Sequence, residues 1–226
     1  ASKFPDSATE TVSRLETSRS LRSFGDMSDD DVVVGGPEHL ELLKASLSQA
    51  RSTVVIHSCF VSPDTVKALL PDLELAAERK VRVELLWGLH NDPERTVPRK
   101  PITDTERILS QLSPSARSRI LLSPLSSGSH AKVILYDDRQ TDSWVTIVGS
   151  CNFLSSEFDW TEVSVRLRSQ RLASYVLSRF VAAQLPASGS WSPLARRLDR
   201  HWSELRQKIH GVQESGTHEM VLLSDD

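Results

Sequence analysis

The chain has 226 residues, 38% hydrophobic and 25% charged, with 27 basic against 30 acidic side chains and a formal net charge of -3. This is enough for one domain, or a domain with an appendage, and it excludes both a disordered chain and a histone-like polyanion binder, although not a local basic groove. The two cysteines, Cys59 and Cys151, exclude a disulfide scaffold and lack zinc-site spacing, and no run approaches the roughly 18 apolar residues of a membrane span, so no stable membrane insertion is expected.

Residues 1–31 are rich in Ser, Thr, Asp and Glu and read as a flexible leader, with one short helix around 10–21. The start, Ala1-Ser2-Lys3, carries neither an initiator Met nor an apolar signal core. The chain therefore reads as a piece of something longer, in a reduced, cytoplasmic setting. Val32-Val33-Val34 predicts a short strand that meets a turn at Gly35-Gly36. Pro37 opens a helix whose apolar face holds Leu40, Leu42, Leu43, Leu47 and Ala50. The β-branched run 53–60 predicts a strand covered on both faces. Ser62 and Pro63 open a helix to about residue 79, which Pro71 is expected to break or kink.

A second strand is expected over 81–87, ended by Gly88. Residues 90–103 hold three prolines with Arg95, Arg99 and Lys100, and read as a polar loop before a helix capped by Thr103 or Asp104 and running to Leu112. A strand over 120–122 follows, then a Ser/Gly/Pro loop over 123–129. Strands over 131–136 and 144–148 form a hairpin with a polar tip, and 161–167 alternates as one more strand. Helices are expected over 172–185 and 191–210, the second carrying Arg196, Arg197, Arg200, Arg206 and Lys208. Strands alternating with helices, then a hairpin, predict an α/β fold: a mixed β-sheet flanked by helices on both faces. The expected division is a leader over 1–31, a module over 32–186 and a helical extension over 187–226.

One constellation carries chemistry. His130-Ala131-Lys132 is followed after four residues by Asp137, and Gly149-Ser150-Cys151-Asn152 comes further on. On a strand, His130 and Lys132 would share one face. Gly149 follows a strand, where the backbone can approach a ligand closely. The hairpin sets the start of its first strand beside the end of its second, so His130, Lys132, Ser150 and Asn152 can converge. A neutral imidazole is a competent nucleophile or general base near neutral pH. Lys supplies fixed positive charge, and Ser and Asn supply neutral donors, for phosphate oxygens. No carboxylate cluster suited to Mg²⁺ lies near in sequence, so metal-independent phosphodiester chemistry without a cofactor is expected.

These residues, HAKVILYD and GSCN, resemble the phospholipase D superfamily, whose signature is His-x-Lys-x4-Asp followed by Gly-Ser-x-Asn. The resemblance spans about residues 32–186. The linker from Asp137 to Gly149 is a few residues longer than usual, a longer hairpin tip. The resemblance implies that His130 is the nucleophile, forming a phosphohistidine, or the acid for the leaving group. It implies that Lys132 and Asn152, assisted by Ser150, hold the phosphate oxygens, and that Asp137 and Gly149 are structural. It further implies that Glu162, ten residues past Asn152, accepts a hydrogen bond from His130. The family's substrates are lipids and nucleic acids. A nuclease acting on DNA is the first reading, because the chain is polar and Arg95, Arg99, Lys100 and the last helix cluster positive charge. The 95–100 loop would contact substrate phosphates. A phospholipase or phosphatidyl transferase is the second reading, with Phe153, Leu154 and Phe158 as its apolar entrance. A catalytically idle interaction module is the third. One motif is half of what two-histidine chemistry needs, so a homodimer with a composite site, or a missing second module, is expected. His57 reads as a satisfied core histidine, Cys59 and Cys151 as packing residues, and Trp87 and Trp160 as core or rim.

Overall fold

The computed structural model describes residues 28–88, 99–185 and 190–209, with Arg99 described by its backbone alone. Its centre is β2 (Ala50–Ser58), whose unbroken apolar stretch needs cover on both faces. Parallel to β2 run β3 (Arg82–Trp87) and then β4 (Ile120–Leu122). On its other side the pairing is antiparallel throughout: β5 (Val133–Asp138), β6 (Trp144–Gly149), β7 (Val163–Arg168) and β1 (Val32–Val34). The order of this mixed sheet is β1-β7-β6-β5-β2-β3-β4.

Alternation along the strands feeds two apolar layers. Val54, Ile56, Val83, Leu85, Ile134 and Ile147 face α1 (Gly36–Gln49), α2 (Pro63–Glu78), α3 (Arg99–Leu109) and α4 (Pro114–Arg117). Val55, Leu86, Val133 and Leu135 face α5 (Gln170–Ala183) and α6 (Pro193–Ile209). The helices therefore cover both faces, as the sequence predicts. Within the second layer a polar post joins α6 to the sheet. Glu84 of β3, fully buried, meets Arg197 at 3.3 Å and His201 at 3.5 Å. Arg197 also donates to the carbonyls of Ser118 and Arg119.

Four local readings are corrected. Pro71 sits inside an uninterrupted α2, on its exposed side. Arg99 and Lys100 begin α3 instead of ending a loop, because Pro101 falls in the first turn, where a missing N–H removes no helical bond. Neither Thr103 nor Asp104 caps that helix, and it ends at Leu109 rather than Leu112. The strand of the His-Ala-Lys segment begins only at Val133, so His130 and Lys132 lie in the extended lead-in. The short α4, capped by the Ser113 hydroxyl accepting from the Ala116 N–H at 3.3 Å, has no counterpart in the sequence reading.

Candidate active site

The carboxyl end of β2, the start of β5 and the end of β6 meet at one end of the sheet, since His57 pairs with Val133 and Val133 with Val148. The His130 and Gly149 motifs therefore lie side by side, and the Gly149 N–H donates to the Lys132 carbonyl at 3.3 Å. Gly149 has no substitute here: a Cβ would stand 2.4 Å from the Val163 carbonyl oxygen and 2.6 Å from the Ser164 Cα. That close approach sets β6 against β7 and puts Ser150 beside Glu162.

His130 is exposed, with the Phe60 ring edge-on at 6.3 Å. The Lys132 ammonium donates to the His130 carbonyl at 2.8 Å, with two further N–H bonds to offer. Asn152 is oriented from behind: the Cys59 backbone N–H donates to its Oδ1 at 3.1 Å. A backbone N–H can only donate, so the amide oxygen is committed and the NH₂ group is left for an incoming acceptor. Cys59 and Phe60 thus link Asn152 to His130 from the end of β2, a pair of contacts that the sequence reading passed over. A strand's carboxyl end next to an open α/β crevice is their only sequence signal.

Glu162 differs from expectation. Its carboxylate accepts a short hydrogen bond from the Ser150 hydroxyl and not one from His130. The Ser150 oxygen in turn accepts from the Val163 N–H at 3.1 Å. Glu162 therefore takes the one proton that the Ser150 hydroxyl can donate, and the Ser150 N–H is held by the Val163 carbonyl at 3.0 Å, so the donor role expected of Ser150 is not met in this arrangement. The Glu162 charge and, above all, burial push the neighbouring Cys151 thiol up to about 12, which leaves Cys151 an inert packing group. Asn152, Ser155, Ser156, Glu157, Trp160 and Glu162 line an open cleft of about 350 Å³. Trp160 is 74% exposed on its rim, whereas Trp87 is core.

Asp137 lies at the far end of β5. Its carboxylate accepts from the Ser52 and Thr53 N–H groups at 3.0 and 2.8 Å and from the Ser52 hydroxyl at 2.6 Å, holding the irregular start of β2. The hairpin tip beyond it is likewise remote from His130. Phe153, Leu154 and Phe158, the expected apolar entrance, are buried in the core. Lys100 is exposed on α3, and Arg95 lies outside the described residues. On α6, Arg197 is turned inward to Glu84. Among the described residues, no group of three or more His, Cys, Asp or Glu side chains could hold a metal ion.

His57 is fully buried under the motif, stacked on Phe180 at 4.9 Å. Burial, helped by the Lys132 charge and opposed by the Ala131 carbonyl, lowers its pKa from 6.5 to about 4. The unfolded chain then binds a proton that the native state refuses. His57 stability is fully present above 6.5 and is lost as pH falls through about 4. About 3 kcal/mol should disappear across that window, and His57→Phe should flatten the slope of urea-unfolding free energy against pH.

Residues 43–183 match the family described as "Cardiolipin synthase, PLD-like domain". No curated protein matches the chain. Among solved structures it is similar to phosphatidylserine synthase of Haemophilus influenzae Rd KW20, with a TM-score of 0.51 and 14% identity over 95% of this chain and 51% of that one. TrmBL2, an archaeal chromatin protein, aligns with a TM-score of 0.41 and 15% identity over 77% of this chain and 56% of that one. Polyphosphate kinase of Porphyromonas gingivalis aligns with a TM-score of 0.42 and 8% identity over 80% and 29%. The chain thus spans about half the length of the first two. At these identities the likeness is one of fold alone; the family match covers more than half of the chain. The chain belongs to the PLD-like domain family of the phospholipase D superfamily.

Proposed function

We propose that this chain is a metal-independent phosphodiesterase whose substrate is nucleic acid, DNA in the first place, hydrolysed through a phosphohistidine on His130. The observation that carries the reading is the meeting of the His130–Lys132 lead-in with the Ser150–Asn152 turn, with the Asn152 amide oriented from behind. A ring nitrogen of His130 attacks phosphorus in line; the P–N bond forms as the bond to the leaving oxygen breaks. Lys132 and the Asn152 NH₂ group receive the charge that develops on the non-bridging oxygens. The leaving oxygen needs a proton from the opposite side, and a second module's histidine supplies it. That histidine then takes a proton from water as water displaces His130 and the P–N bond breaks.

The second module is a second copy of this chain or the other half of a longer parent. Val32, Val34 and Val163, exposed where β1 and β7 close the sheet beside Glu162, fit a partner on that side. No described helix is long and apolar enough to cross a membrane, and a cytoplasmic setting fits the reading. The lipid alternative, hydrolysis or phosphatidyl transfer, is favoured by two exposed aromatic rings, Phe60 against His130 and Trp160 on the cleft. The discriminating experiment is incubation in excess EDTA with labelled DNA and RNA oligonucleotides and, separately, with phospholipid vesicles. Chelator-resistant cleavage of the oligonucleotides is expected. Turnover of lipid alone would transfer the same mechanism to the alternative, and a strict metal requirement would sink it.

A further inference from the structure

Burying a histidine in the Val-Val-Ile run of β2 costs stability unless its ring nitrogens are satisfied. Both are, and both partners flank His130 in sequence. His57 Nδ1 lies 2.7 Å from the Ala131 carbonyl oxygen, and Nε2 lies 2.6 Å from the Ser127 hydroxyl. A carbonyl only accepts, so Nδ1 carries the proton, and Nε2 accepts from Ser127. The Ser127 oxygen accepts in turn from the Ser129 N–H at 3.2 Å, and the Ser129 hydroxyl accepts from the Ala131 N–H at 3.1 Å. The Ser127 N–H is anchored to the Trp87 carbonyl at 2.8 Å. Gly88 makes room for the loop, since a Cβ there would stand 2.2 Å from the Ser127 hydroxyl and 2.5 Å from the Ser129 carbonyl oxygen. Residues 126–132 belong to no helix or strand, so this chain of side-chain bonds takes the place of a ladder in holding the backbone on either side of His130.

Resting on the phosphohistidine reading, we infer that His57 is a positioning residue: a neutral imidazole that staples Ser127 to Ala131 and so fixes the backbone from which His130 attacks phosphorus. Its low affinity for protons keeps Nε2 an acceptor at working pH. In-line attack is steep in distance, and a misplacement of about 1 Å costs about a hundredfold in rate.

The test uses EDTA-treated protein with bis(4-nitrophenyl) phosphate and with a labelled oligonucleotide. His57→Phe keeps the ring stacked on Phe180 and loses both hydrogen bonds. It should lower kcat about a hundredfold with KM within about twofold. His57→Gln, able to donate and accept, should recover part of the loss. Ser127→Ala, a milder change should His57→Phe fold poorly, should lower kcat about tenfold, and Ser127→Ala with His57→Phe should be no worse than His57→Phe alone. Amide exchange over residues 127–132 should speed at least about tenfold in His57→Phe while that of β5 holds. Turnover lost on His130→Ala but kept on His57→Phe and Ser127→Ala would overturn the role of His57 alone. A fall in kcat that tracks only the folded fraction would do the same. Absence of wild-type turnover on both probes and on phospholipid vesicles would overturn the reading of His130, and this role with it.

Discussion

His130→Ala should remove at least about three decades of phosphodiester turnover while leaving the melting temperature nearly unchanged. The side chain is exposed, and among the described residues its only ring contact is the edge of Phe60, so its loss leaves neither a cavity nor an orphaned buried polar group. The effect should appear in kcat, because in the proposed mechanism Lys132 and Asn152 would still receive the phosphate. A mild effect would mean that the site lies elsewhere. The same variant reports on the second module. Mixed with excess His130→Ala under conditions of subunit exchange, wild type should lose more activity than dilution accounts for, since each mixed pair holds one intact and one dead histidine. Loss in proportion to dilution despite exchange, or an active monomer, would remove the shared site.

Arg197→Ala should cost about 3 to 5 kcal/mol in denaturant unfolding, more than any exposed arginine of α6. Glu84 is wholly enclosed between the sheet and α6, and its Oε2 already has no hydrogen-bond partner. Removing the guanidinium would leave His201 as the remaining side chain against Glu84 among the described residues and take a donor from each of the Ser118 and Arg119 carbonyls. The paired replacement Glu84→Leu with Arg197→Met should recover most of the loss, because an apolar contact replaces two desolvated charges together. Equal losses for Arg197→Ala and Arg200→Ala would show that the post contributes nothing.

The family was legible because its signature resides in residue identity at fixed spacing: nothing in the interior of a protein calls for His-x-Lys and Gly-Ser-x-Asn beside one another. The layered sheet was legible because the run 53–60 is too apolar for a strand with a wet face. The partner of a polar side chain was not. Glu162 bonds Ser150 and not His130 because the Gly149–Ser164 approach decides what stands beside it, and that depends on a missing Cβ read in three dimensions. Glu84 in the VRVELLW strand was visible as the odd charge in an apolar run, yet its partner is 113 residues away. Where a strand begins was equally hidden. The run 131–136 reads as one strand, yet Ala131 and Lys132 only lead into it, and β5 begins at Val133.

The edge of the sheet has a consequence for synthesis. Val32–Val34 pairs with Val163–Val165, Asp31 is clasped by Arg166 and Arg168, and the Gly35 N–H holds the Glu162 carbonyl at 2.9 Å. The first described strand therefore waits for the last one. On a ribosome, β2 with β3 can pair early, but the wall of the cleft that carries Glu162 closes only after residue 168 has emerged, more than 130 residues after β1 was made. A nascent chain is thus kept from closing the Glu162 side of its cleft until nearly the whole described fold exists. A fragment begun at residue 43, where the family match starts, would keep every motif residue and lose the strand that closes the wall.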